Sequence, residues 1–159
     1  MQYNTAIGHA SLDANTSGSA IVAVGIDALG ANTSAGEGTA VGYHALCSNT
    51  TGQSNTAVGM RALCSNTTGA SNVAVGKGAL ETNTTGANNT AVGNGALSTN
   101  TTASGNTAVG GYSLLNNTTG HTNTAVGSCN PGNYGSAMEG NTTGCCNVAI
   151  GNGALRTNT

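Results

Sequence analysis

One tripeptide returns along this chain at a fixed interval. Ala-Val-Gly or Ala-Ile-Gly ends at Gly8, Gly25, Gly42, Gly59, Gly76, Gly93, Gly110, Gly127 and Gly151. The first seven spacings are all seventeen and the last is twenty-four. The unit reads N-T-A-V-G-x-x-A-L-x-x-N-T-T-G-x-x. Leu stands four places after the repeat glycine, at Leu12, Leu29, Leu46, Leu63, Leu80, Leu97, Leu114 and Leu155, and Met138 takes that place once an insertion at 128–134 is set aside. Seven places after the glycine comes Asn, at Asn15, Asn32, Asn49, Asn66, Asn83, Asn100, Asn117, Asn141 and Asn158, with Thr following each time. Such self-similarity is the mark of a repeat architecture, in which each unit buries its apolar side against the next.

The unit is too short for the helical repeats, which run to about 33–47 residues. Its glycines interrupt it too often for a long helix. Short strands between tight corners suit it better, with Gly and Asn as the residues that tolerate left-handed corners. The expected fold is all-β: a parallel β-solenoid of seventeen-residue coils, about nine of them, in one domain over 1–159 that carries the insertion 128–134. At a strand spacing of about 4.8 Å, such a stack is a rod roughly 43 Å long.

Alternate residues of a strand face opposite sides. In N-T-A-V-G, Thr and Val share one face, while Asn, Ala and Gly share the other. The Thr place is itself Val at Val22, Val73 and Val148. One face can pack inside the coil against Leu. The other is an apolar stripe of Ile7, Val24, Val41, Val58, Val75, Val92, Val109, Val126 and Ile150. A strand apolar on both faces is normally buried on both, so the stripe is expected to be an interface between copies of the chain. Nine leucines, four isoleucines and ten valines are a low share for a globular core, and association adds burial without adding chain. The Asn series is expected to form an amide ladder, each side chain donating to the next along the stack, with the Thr column beside it doing likewise.

Chemistry is hard to find. Three basic and five acidic side chains leave a net charge of −2, too few cations for phosphate contacts and hence for nucleic acid. No apolar run approaches the roughly 20 residues of a membrane span. Glycine pairs such as Gly76–Gly78 and Gly93–Gly95 lack the Lys and Ser or Thr of a phosphate loop. His9, His44 and His121 fall at different register positions, so no metal site is expected. No Ser, His and Asp set stands in mutual register, so neither catalysis nor a cofactor is expected. Cys47 and Cys64 are one full period apart and should stack, as free thiols in preference to the disulfide that strand spacing would also admit. Cys145 and Cys146 are adjacent and lie near Cys129 of the insertion, and a bond from Cys129 to one of them would tie that loop down. The N-T-T and N-T-S sequons lie in the Asn column, where glycans at about 4.8 Å would collide. The insertion, with Asn130, Pro131 and Tyr134, reads either as a plain loop or as a contact for a receptor. Joining the end of one copy to the start of another would space the repeat glycines one short of the period, which reads either as head-to-tail stacking into a fibril or as a segment of a longer fibre.

The N-T-A-V-G and N-T-T-G units resemble the head repeats of trimeric autotransporter adhesins and the repeat shafts of phage and virus tail fibres. The resemblance implies a left-handed parallel β-roll with three chains about one axis and the Val and Ile of the A-V-G strand at their interface. It also implies an extracellular, cell-surface or virion location, a structural or adhesive role without catalysis, and a cell-surface receptor or glycan as a further partner. A different expectation is ice binding through columns of Thr on a flat solenoid face.

Overall fold

The computed structural model describes residues 3–128 and 135–158. The candidate partner residues Asn130, Pro131 and Tyr134, together with Cys129, lie outside the described residues. The fold is an all-β parallel solenoid. Its strands are β1 (Thr5–Ile7), β2 (Val22–Val24), β3 (Thr39–Val41), β4 (Thr56–Val58), β5 (Val73–Val75), β6 (Thr90–Val92), β7 (Thr107–Val109), β8 (Thr124–Val126) and β9 (Val148–Ile150). They pair in chain order in one parallel sheet. Seven successive turns of one period each lead from β1 to β8, and a longer turn, which holds the insertion, leads to β9. Register follows the repeat: Ala40 sits beside Ala57 and Ala57 beside Ala74, with Val41, Val58 and Val75 in line.

The coil is so small that its interior holds little per turn. Around β4 this is Ala57 from the strand, Ala62 and Leu63 from the corner, and Asn55 and Asn66, all buried. Ser11 and Ser113 replace the corner alanine in two turns, and their hydroxyls donate to strand carbonyls, Ser11 to Ala23 O and Ser113 to Ala125 O, both at 3.0 Å. The residues before and after each strand continue the ladder, as where Thr56 N–H donates to Asn72 O at 2.8 Å and Gly59 N–H to Val41 O at 2.8 Å. Each added coil therefore extends several columns of hydrogen bonds at once.

The repeat glycine is fixed by contact as well as by conformation. From Gly8 to Gly151 its φ lies between +119° and +155°, a region that side chains disfavour. A Cβ on Gly76 would stand 2.5 Å from the carbonyl oxygen of Gly93 in the next coil. That crowding explains why no other residue takes this place.

The other left-handed corners differ from expectation, because the column asparagines do not take them: they fall two places after the repeat glycine, as at His44 and Arg61, at a second row that includes Ser54 and Ser71, and at the Leu place. Leu46, Leu63, Leu80 and the rest of the Leu place, Met138 included, have φ between 49° and 57°. A non-glycine residue there costs about 1–2 kcal/mol. The position offsets this by burying a Leu side chain, worth about 2 kcal/mol, and by giving its N–H a partner in the next coil, as from Leu63 to Ala79 O at 3.0 Å. The column asparagines instead keep their amides inside the coil.

Candidate functional site

The outer face of the sheet follows from strand alternation. Ala23, Ala40, Ala57, Ala74, Ala91, Ala108 and Ala125 point inward and are fully buried. The flanking Thr or Val and Val or Ile point out. No member of the stripe Ile7, Val24, Val41, Val58, Val75, Val92, Val109, Val126 and Ile150 is buried; each is half-buried or exposed. Val58, Val75 and Val92 are 36–37% exposed in mid-stack, flanked by coils on both sides. Beyond the repeat glycine, Ile26, Tyr43 and Met60 form a second exposed apolar row over three coils.

Inside the coil, the Asn series makes a continuous amide column. Asn32 Nδ2 donates to Asn15 Oδ1 at 2.9 Å, Asn49 to Asn32 at 3.4 Å, Asn66 to Asn49 at 2.8 Å and Asn83 to Asn66 at 2.8 Å. It continues through Asn100 at 2.8 Å, Asn117 at 3.1 Å, Asn141 at 2.8 Å and Asn158 at 3.1 Å. Across the insertion, Asn141 still meets Asn117, so the longer turn does not break the column. Each amide is also tied within its own coil, as Asn83 Nδ2 to Gly86 O at 3.0 Å. The neighbouring Thr column differs from expectation. Its hydroxyls donate to the backbone, not to one another, as from Thr67 Oγ1 to Thr84 O at 3.1 Å.

A second Asn column went unread in the sequence. Asn55, Asn72, Asn89, Asn106 and Asn123, at the strand entries, are buried. The backbone N–H of Asn72 donates to Asn55 Oδ1 at 2.9 Å, and Asn89 N–H to Asn72 Oδ1 at 3.0 Å. Their amides converge with the first column on one carbonyl: Gly86 O accepts from Asn72 Nδ2 at 2.9 Å and from Asn83 Nδ2 at 3.0 Å. The signal was there as the first letter of N-T-A-V-G, but Ile21 and Gly38 interrupt the series.

Two clusters of soft ligands also emerge. Asp27, His44 and Arg61 succeed one another at the repeat period, and so do Cys47, Cys64 and Glu81. These two columns run side by side, which brings His44, Cys47 and Cys64 within 4.8 Å of one another at their ligand atoms. The two sulfurs are 2.7 Å apart. The Tyr43 ring stacks on His44 with centroids 4.0 Å apart. Arg61 pairs with Glu81 at 2.9 Å, and Asp27 Oδ2 lies 3.9 Å from His44 Nε2. With the Cys64 thiol as donor, Cys47 is held down to about 6 against the opposing effect of burial, and the same shared proton, with burial, pushes Cys64 up. His121, Cys145 and Cys146 form a second, fully exposed cluster, in which the hydrogen bond with Cys145 raises Cys146. The four described cysteines are free thiols. The spacing His44-x-x-Cys47 with Cys64 one coil later would have revealed the first cluster had lateral neighbours been read along with the stacked ones.

Comparison of the chain with family models, curated proteins and solved structures finds no match.

Proposed function

We propose that this chain is a structural segment of an extracellular or virion-borne fibre or adhesin. It is a self-associating rod of nine coils that carries no catalytic centre. The observation that carries this reading is the outer sheet face, whose Val and Ile stripe stays accessible along the whole stack. Parallel sheets are ordinarily covered on both faces, and contiguous exposed apolar patches mark interaction surfaces. The cover is other copies of the chain, three about one axis as the likeness to adhesin heads and tail-fibre shafts implies, and the roll is left-handed in that arrangement. The row of Ile26, Tyr43 and Met60 widens the patch at one end. Few charges and continuous internal columns suit a stiff spacer. The strands at the two sheet edges, β1 and β9, carry exposed Ile7 and Ile150, and unpaired edges invite further strands. Head-to-tail growth is part of the proposal for that reason.

Native mass spectrometry of the purified chain tests the stoichiometry. A species of three chains is expected, and a monomer across the micromolar range overturns the reading. Electron microscopy tests the growth, with filaments one rod wide expected.

Ice binding is the second reading. The observation favouring it is the in-register outer Thr and Val grid of β3, β4, β6, β7 and β8. The Asn-Thr column is a poor candidate for that role, because its hydroxyls are spent on carbonyls. Thermal hysteresis at micromolar protein would favour ice binding over the fibre.

A further inference from the structure

We propose that His44, Cys47 and Cys64 form a binding site for a thiophilic divalent cation, zinc by ligand class. The site is independent of the fibre reading. Three donors from two adjacent coils converge there, with all ligand atoms within 4.8 Å of one another. Two sulfurs and one imidazole are a soft set that suits zinc and disfavours magnesium or calcium. Around tetrahedral zinc, with Zn–S near about 2.3 Å, two sulfurs stand about 3.8 Å apart. The present 2.7 Å opens to that by rotating side chains that are only half-buried.

The surroundings fit a cation. Asp27, one coil before His44, brings its carboxylate to 3.9 Å from Nε2, which adds negative charge beside the site without a direct hydrogen bond to the ring. Tyr43 stacks on the same ring and restrains it. The neighbouring guanidinium of Arg61 is paired with Glu81 at 2.9 Å, so its charge is compensated. Half-buried ligands leave a path from solvent and a fourth position for water.

The test uses the full chain, reduced with a phosphine, carrying Cys129→Ser, Cys145→Ser and Cys146→Ser to silence the other thiols. Cobalt is the probe. One equivalent is expected to give thiolate-to-cobalt charge-transfer absorption and the intense visible bands of tetrahedral coordination, both displaced by one equivalent of zinc. Adding Cys64→Ser or His44→Gln removes a ligand and should weaken binding by more than the roughly 10–100-fold typical of losing a group that merely orients one, with unchanged circular dichroism. Should a serine variant lose the solenoid's circular dichroism, the unmutated reduced chain decides: zinc must shield Cys47 and Cys64 from iodoacetamide. Octahedral cobalt without charge transfer, binding indifferent to Cys64→Ser, or thiols alkylated equally with and without zinc overturns the proposal.

Discussion

An asparagine inside a coil this narrow does what no apolar residue of its size can. Asn83 Nδ2 donates to Asn66 Oδ1 and to Gly86 O, while its own Oδ1 accepts from Asn100 Nδ2 at 2.8 Å. Burial without these partners would be costly, because a buried polar atom left unpaired loses about 1–3 kcal/mol. Among the described residues, every buried side-chain nitrogen and oxygen has a partner. Asn83→Ala strands an oxygen on Asn66 and a donor on Asn100. It is expected to destabilise the chain by about 2–4 kcal/mol in urea unfolding. Thr85→Ala, at an exposed position in the same coil, should stay within about 0.5 kcal/mol. Equal effects of the two substitutions would mean that the column contributes little beyond shape. The buried amides also account for the sequons: an Asn whose Nδ2 is spent twice inside the coil is closed to a glycan.

At the scale of the strand and its corners, the two glycine places of the unit are not equivalent. Gly76 has φ +133°, and an added Cβ would press on the carbonyl of Gly93. Gly86 is also crowded, against the Ala103 carbonyl, yet Ala35 and Ala103 occupy that same place in other coils and are accommodated. Gly76→Ala is therefore expected to lower stability by about 2–4 kcal/mol, through strain and displaced backbone, and Gly86→Ala by no more than about 1 kcal/mol. Thermal unfolding of the two variants side by side checks the difference. Here lies much of what was legible in the sequence. The period set the strand positions, and alternation within T-A-V put Ala inside and Val outside. The Asn column at Asn15 to Asn158 could be read because nothing interrupts it. Left-handed Leu corners could not be read, since the local preference of Leu points the other way and only burial in the assembled coil overrides it. The meeting of His44 with Cys47 and Cys64 escaped for a geometric reason. A period tells which residues stack, but not which two columns lie side by side; that depends on how sharply the chain turns between His44 and Cys47, where Leu46 is left-handed.

For the whole molecule, the deciding quantity is the difference between what a charge costs on a free solenoid and what it costs between two of them. Val58 and Val92 sit outward in mid-stack, about a third exposed, on strands held by neighbours on both sides. On an isolated rod, Val58→Asp leaves the carboxylate in water and loses mainly strand preference, about 1 kcal/mol. In a trimer whose interface is the stripe, the same carboxylate is buried against valines of another copy, which costs several kcal/mol without a partner for the charge. Each of three equivalent chains contributes the same defect, so the penalty to assembly is multiplied while the penalty to each coil is not. Val58→Asp or Val92→Asp is therefore expected to shift the mass measured by light scattering from the assembly toward the single chain, with the β-type circular dichroism retained. Val58→Thr, which imitates the neighbouring strand column and keeps the shape, should leave the mass nearly unchanged. A Val58→Asp chain that keeps its assembled mass would move the interface off the stripe, to the row of Ile26, Tyr43 and Met60. A chain that loses its circular dichroism together with its mass would mean that the coil itself depends on being covered.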